Sequence, residues 1–409
     1  MVFGPDSPYP TIDIGEAWRR VAATLVPLAP AVCALDDALG LVLAEDIVAT
    51  ENMPPFASSA MDGYAVVAED LAPEKRVIGE QDAGPLQGLR VVPGTAARIM
   101  TGGALPEGAG AVIPVENTAE EGGVVRLLSS VAPGQYVRPV GQDIAVGDVV
   151  LEAGSTIGPA EIGLLATMGR TQVPVHPRPT VAVMATGDEL VPADRTPGPG
   201  QIRDGNSWAL AAAIRAVGCT PIRLGLVEDD ARALREALLR AVAQADMVLT
   251  SGGVSMGARD LIKPLLEELG EVHFGRVAKK PDKPLTYATV KGVPVFGLPG
   301  FPVSSMVSFE NYVRPALRLM GGHRKLFRPQ AVVRLAHDVR HAPDRTEFQR
   351  AIVERRDGQY WATTTGVQVS GRLRSLVGAN ALLRLPRGRG DSDQGEEVAA
   401  ILIDQPESR

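Results

Sequence analysis

The sequence predicts a multidomain α/β and β protein, and three observations carry that reading. At 409 residues the chain is longer than one hydrophobic core ordinarily serves. Residues 180–320 alternate strand-like and helix-like segments, which predicts a mostly parallel sheet with right-handed crossovers. Residues 1–179 and 327–409 instead hold short alternating strands, many Gly and Pro, and few helices. HPRP (176–179) and HRKLFRPQ (323–330) read as boundaries between these regions.

Within the α/β region, TVAVMAT (180–186) is a β-branched strand. Asn206 to Val217 reads as a helix, with Asn206 or Ser207 placed to cap it and Gly218 to end it. CTPIRLGLV is a second strand, Asp230 to Ala243 an amphipathic helix, and DMVLT a third strand running into a glycine loop. A helix is expected over Asp260–Leu269, then strands in EVHFGRV, LTYATV and VPVFGL, and a final helix from Pro302. The last 80 or so residues, with alternation in AVVRLAHDV and a turn at Pro386–Gly390, read as a small β-barrel or sandwich.

Composition narrows the chemistry. The net charge of −7 argues against broad nucleic-acid binding. No apolar run reaches the ~18 residues of a membrane span, and the N-terminus MVFGPDSPYPTID lacks the basic and apolar runs of a secretory signal. Cys33 and Cys219 are the only cysteines, which fits a reducing cytoplasm and excludes a thiolate metal site. His337 and His341 stand four apart but flank strand-like sequence ending in Ala342-Pro343, which argues against a histidine metal site. Carboxylates, lysines and backbone remain.

In an open parallel sheet, ligands collect at the carboxyl ends of the strands. Three such ends are unusual: Thr186-Gly187-Asp188-Glu189, Thr250-Ser251-Gly252-Gly253 and Gly297-Leu298-Pro299-Gly300. Bare backbone N–H groups at such ends make an anion seat. RVAKKPDKP adds Arg276, Lys279, Lys280 and Lys283, a basic cluster suited to phosphate in an acidic protein. Glu189, Asp229 and Asp260 stand at or beyond strand ends and offer the hard oxygens Mg²⁺ prefers, although Asp229 and Asp260 also fit as helix caps. Neither the P-loop nor the Rossmann glycine signature is present, so a phosphorylated ligand would be held by another design.

Seven stretches, SAMDGYAV, IMTGGALPEGAGAVIPVE, RPVGQDI, ATGDEL, TSGGVSMGARD, KKPDKP and GLPGFPVS, resemble in their order the MoeA family of molybdopterin molybdenumtransferases, to which the catalytic region of gephyrin belongs. The resemblance covers nearly the whole chain, SGRLRSLVGANALLRLP included. It implies a homodimer of four-domain subunits: a discontinuous domain I (1–50 and 140–178), an inserted domain II (51–139), a MogA-like α/β domain III (179–326) and a C-terminal β-barrel, domain IV (327–409). It implies insertion of molybdenum from molybdate into adenylylated molybdopterin with release of AMP, in the cytoplasm, with Mg²⁺. Protein partners would be the preceding adenylyltransferase and cofactor-receiving enzymes.

Carried over by position, the functional residues are Asp62, Thr101, Asp143, Glu189, Asp229 and Asp260, the last three at the metal. The binding set is Ser251, Gly252, Gly253, Ser255, Arg276, Lys280, Lys283, Pro299, Gly300 and Pro302. In such a dimer Asp62 and Thr101 complete the partner's site. The chain departs from the family pattern at Phe301, where Asn is usual, and at Asp282, where Gly is usual; both departures would suit a paralogue of altered activity. The alternatives are the adenylyltransferase, which shares the α/β domain but lacks the flanking ones, and a non-catalytic scaffold, a role gephyrin also serves.

Overall fold

The structure, a computed structural model, describes residues 9–253 and 261–408. Its centre is a six-stranded sheet of β1 Thr180–Thr186, β2 Thr220–Val227, β3 Met247–Ser251, β4 Gly270–Arg276, β5 Pro284–Val290 and β6 Val293–Leu298, in the order β2-β1-β3-β6-β5-β4. The β1–β2, β1–β3 and β3–β6 pairings are parallel. The β6–β5 and β5–β4 pairings are antiparallel. The expected parallel sheet therefore holds across four strands, and its departure has a local cause. Only Lys291-Gly292 separates β5 from β6, with φ of 50° and 81°, a two-residue hairpin too short for a crossover. Because β5 alone is reversed, the carboxyl ends of β1, β3, β6 and β4 share one edge with the start of β5.

Five helices follow these strands: α1 Asn206–Ala216, α2 Ala231–Gln244, α3 Ile262–Leu269, α4 Pro302–Ser308 and α5 Arg314–Met320. Helix α2 starts as expected, with Asp230 Oδ2 accepting from the Ala233 N–H at 2.9 Å. The cap of α1 is not the expected one. Asp204, 4% exposed, accepts the Ser207 N–H at 3.0 Å, so Asn206 is freed for another task. One sheet face buries Val183, Leu249 and Phe296 under α1, α4 and α5 together with the N-terminal helix Ile14–Ala23. The other buries Met184, Val248 and Val295 under α2 and α3. Burial on both faces explains why these strands read as near-continuous apolar runs.

The flanking regions are built of antiparallel pairs. Ala31–Ala34 and Val42–Leu43 both pair with Gln172–His176. Further along, Ile47–Val48 pairs with Val149–Leu151, Met53 bridges Ile144, and Ser58–Ser59 pairs with Val137–Arg138. The outgoing and returning chain thus run side by side to a second six-stranded sheet, within residues 63–127, with its own core around Tyr64, Val66 and Ile113.

At the C-terminus, five strands (Gln330–Leu335, Thr346–Arg356, Gln359–Thr364, Ala381–Leu385 and Glu397–Leu402) close on themselves around Val333, Val353 and Leu383. Of the two forms the sequence allowed, it is the barrel, because Thr346–Arg356 is long enough to pair with both Gln359–Thr364 and Ala381–Leu385. Lys279–Lys280 adds to it as a short parallel strand against Thr346–Glu347. Among the described residues no helix is long and apolar enough to cross a membrane.

Candidate anion-binding active site

The three glycine-bearing strand ends are immediate neighbours. Ala185 of β1 pairs with Ser251 of β3, and Ser251 with Leu298 of β6, so their loops leave the sheet side by side. Gly252 (φ 93°) is wedged among them: a Cβ there would lie 2.4 Å from the Thr186 carbonyl oxygen. Its N–H donates to the Leu298 carbonyl at 3.1 Å. Asn206 ties the loops together, its Nδ2 donating to Ser251 Oγ at 2.8 Å and to the Gly300 carbonyl at 2.7 Å. In the sequence this side chain reads as a cap, since a cap and a bridge look alike locally. Gly253 continues the β3 loop, Pro299 is buried behind Gly300, and Pro302 opens α4. Phe301 is the N-cap of α4, with no side-chain cap bond, and its exposed ring lies against Gly371 of the barrel. Ser255 and Asp260 lie outside the described residues.

Two of the predicted carboxylates flank the β1 end. The Thr186 hydroxyl donates to Asp229 Oδ1 at 3.1 Å. The Glu189 carboxylate folds onto Gly187, where a Cβ would come within 2.7 Å of it. Asp230 performs the capping of α2, so Asp229 is available to the site. These are hard oxygen donors beside the glycine-bearing strand ends, a chemistry that fits Mg²⁺. Among the described residues no group of three His, Cys, Asp or Glu side chains is arranged to hold a metal. His337 is engaged structurally, its Nε2 accepting the Thr364 N–H at 3.1 Å.

The cations stand on the same edge, two strands away. Arg276 ends β4 and, with Lys280 and Lys283, lines a cavity of about 750 Å³ whose opposite wall is the barrel. That wall brings Arg340, Arg345 and Glu347, none of which the sequence singled out, because they lie more than 50 residues from the basic run they face. The run is also less free than its proline spacing implied. Lys280 forms an ion pair with Glu347 at 2.9 Å. Lys279 is fully buried and donates to the Pro281 and Asp282 carbonyls at 3.0 and 3.2 Å, and burial pulls its pKa down to about 8. Asp282 adopts φ 53°, the left-handed conformation that suits the glycine usual there.

Asp62 and Thr101 meet through the Gly63↔Ile99 register of the inserted sheet. The Thr101 N–H and hydroxyl each donate to Asp62 Oδ1 at 2.7 Å. These bonds, the backbone one first, hold the exposed Asp62 carboxyl below its ordinary pKa. Asp143 is exposed in the returning loop, with its N–H on the Met53 carbonyl at 2.9 Å. Among the described hydrogen bonds and ion pairs, none links Asp62, Thr101 or Asp143 to the glycine edge of the same chain.

Comparison with known proteins follows the same layout. Residues 12–169 match the MoeA N-terminal region (domain I and II), 182–319 a probable molybdopterin binding domain, and 332–403 the MoeA C-terminal region (domain IV). The chain is 38% identical over 388 residues to molybdopterin molybdenumtransferase 2 of Mycobacterium tuberculosis, covering 91% of this chain and 95% of that protein. To gephyrin of Dictyostelium discoideum it is 37% identical over 418 residues, covering 89% of this chain and 58% of gephyrin. The crystal structure of a molybdopterin biosynthesis MoeA protein from Pyrococcus horikoshii superposes with a TM-score of 0.85 at 33% identity, over 97% of this chain and 100% of that one.

Proposed function

This chain belongs to the MoeA family and is an enzyme of the molybdopterin molybdenumtransferase type; we propose that it inserts molybdenum from molybdate into adenylylated molybdopterin and releases AMP. The observation that carries this reading is the juxtaposition of three glycine-bearing strand ends with a cation-lined cavity along one sheet edge. Both substrates are anions. In this reading the backbone of Ser251, Gly252, Gly253 and Gly300 receives the pyrophosphate, and Arg276, Lys280 and Lys283 hold the oxyanion. Glu189 and Asp229, with Asp260, would hold Mg²⁺, which when bound offsets the charge of two anions brought together. Glu189 and Asp229 otherwise orient water at the phosphoanhydride.

We assign domain I to 1–50 and 140–178, domain II to 51–139, domain III to 179–326 and domain IV to 327–409. The antiparallel pairing of residues 31–48 with 149–176 supports a discontinuous domain I. The working unit is a cytoplasmic homodimer in which Asp62 and Thr101 of one subunit complete the glycine edge of the other. The adenylyltransferase that supplies the pterin nucleotide and the enzymes that receive the finished cofactor are the protein partners.

The test is incubation of the purified protein with adenylylated molybdopterin, molybdate and Mg²⁺. Molybdenum cofactor and AMP should appear together. Product only from molybdopterin plus ATP would make the chain an adenylyltransferase, and no product from either mixture would leave a scaffold.

A further inference from the structure

The wall of the cation-lined cavity carries a group that an anion site has reason to avoid. Glu347 is 2% exposed and lines the cavity together with Arg276, Lys280, Lys283 and Arg345. A buried negative charge there repels the ligand the cations attract, and it is costly to desolvate unless both oxygens are partnered. Both are. Oε1 takes Lys280 Nζ at 2.9 Å, and Oε2 faces His341 Nδ1 at 3.1 Å. The buried His341 ring is fixed at its other end by the Pro386 carbonyl, 3.2 Å from Nε2. The backbone agrees, because Lys280 pairs in register with Glu347. A lysine on a flexible four-carbon stem, its side chain 41% exposed, is thereby stretched from the α/β sheet edge onto a rigid carboxylate of the barrel.

We propose that Glu347 is a positioning residue: held by His341, it fixes the Lys280 ammonium on the cavity wall so that the cation meets the oxyanion in one orientation. The physical gain is preorganisation, since ordering a loose lysine at the moment of binding would lower affinity. This rests on the reading above that Lys280 holds the anion.

The experiment compares Glu347→Gln, Glu347→Asp, Lys280→Ala and Glu347→Gln/Lys280→Ala in the full chain. It measures molybdate Kd by equilibrium dialysis, KM and kcat with adenylylated molybdopterin, and thermal melting as a folding control. A mere repelling charge and a positioning residue predict opposite signs. Glu347→Gln should weaken the molybdate Kd and raise KM by roughly 5–10-fold with kcat within about twofold, because uniform binding is lost rather than transition-state contact. Glu347→Asp, which keeps the charge but draws it back by one methylene, should fall between the two. In the Lys280→Ala background Glu347→Gln should have no further effect, since coupled residues are not additive. Tighter or unchanged molybdate binding in Glu347→Gln overturns the proposal, as does weakening that persists without Lys280. If Lys280→Ala alone leaves molybdate binding unchanged, the anion-site reading falls, and the positioning role with it.

Discussion

At Lys279 an amine is sealed beneath the loop that carries Lys280 and Lys283, and among the described residues its acceptors are two backbone carbonyls. A neutral amine has two hydrogens and satisfies both, whereas the charged form must also be desolvated. Burial lowers the folded pKa from 10.5 to about 8, so between those values the unfolded chain keeps a proton that the folded chain has released. Stability attributable to this group therefore rises with pH through that window. In urea unfolding, wild type should gain on the order of 3 kcal/mol relative to Lys279→Met between about pH 8 and 10.5. A pH-independent difference would mean the lysine is not held as described. Phe301 is a second residue-scale case. It occupies the N-cap of α4 without a cap bond, and the residue is 56% exposed. Phe301→Asn should stabilise the free protein by about 0.5–1 kcal/mol, read as a higher Tm. If the ring stacks on the pterin nucleotide, ligand affinity should fall in the same variant. A lower Tm would mean that the Gly371 contact outweighs the cap. Both departures from the family pattern, at 282 and 301, were visible in sequence; what they do to the backbone was not.

Among the elements, the β3 loop is sterically constrained where it leaves the strand, at Gly252. Gly252→Ala places a methyl against the Thr186 carbonyl in a conformation L-residues avoid, and should cost at least about 3 kcal/mol of stability while abolishing nucleotide binding. A soluble variant that binds normally would show that the loop is not the seat. The βα rhythm that leads into this loop was legible because each strand is buried on two faces and each helix on one. The convergence of the three glycine ends followed from the same rhythm. Other elements left no local trace. Lys279–Lys280 is two residues long and carries no periodicity, so its docking on the barrel depends on Thr346–Glu347, far along the chain. Barrel closure likewise depends on one long strand finding two partners. The Asn206 bridge was missed for the opposite reason, since a polar residue at a helix start already has an ordinary explanation.

For the whole molecule, Asp62 and Thr101 hold each other, and the shared-site proposal has a direct check. Asp62→Ala and Glu189→Ala subunits, each inactive alone, should recover part of the activity when mixed and allowed to exchange, because one of the two interfaces then has both residues intact. Persistent inactivity after demonstrated exchange would place the complete site within one chain. Motif order carried this reading, and no distance in a single chain could have supplied it. The side-by-side course of the outgoing and returning chain has a further consequence. Met53 and Ile144 are bridged, and Ile47–Val48 and Val149–Leu151 are already paired, so the inserted sheet hangs from the tip of a ready-made hairpin. It is a cassette. Joining Met53 to Ile144 through a two-residue Asn-Gly turn would remove it without opening any other core, and the shortened chain should remain a folded, monodisperse protein that still rescues a Glu189→Ala subunit but cannot rescue an Asp62→Ala one.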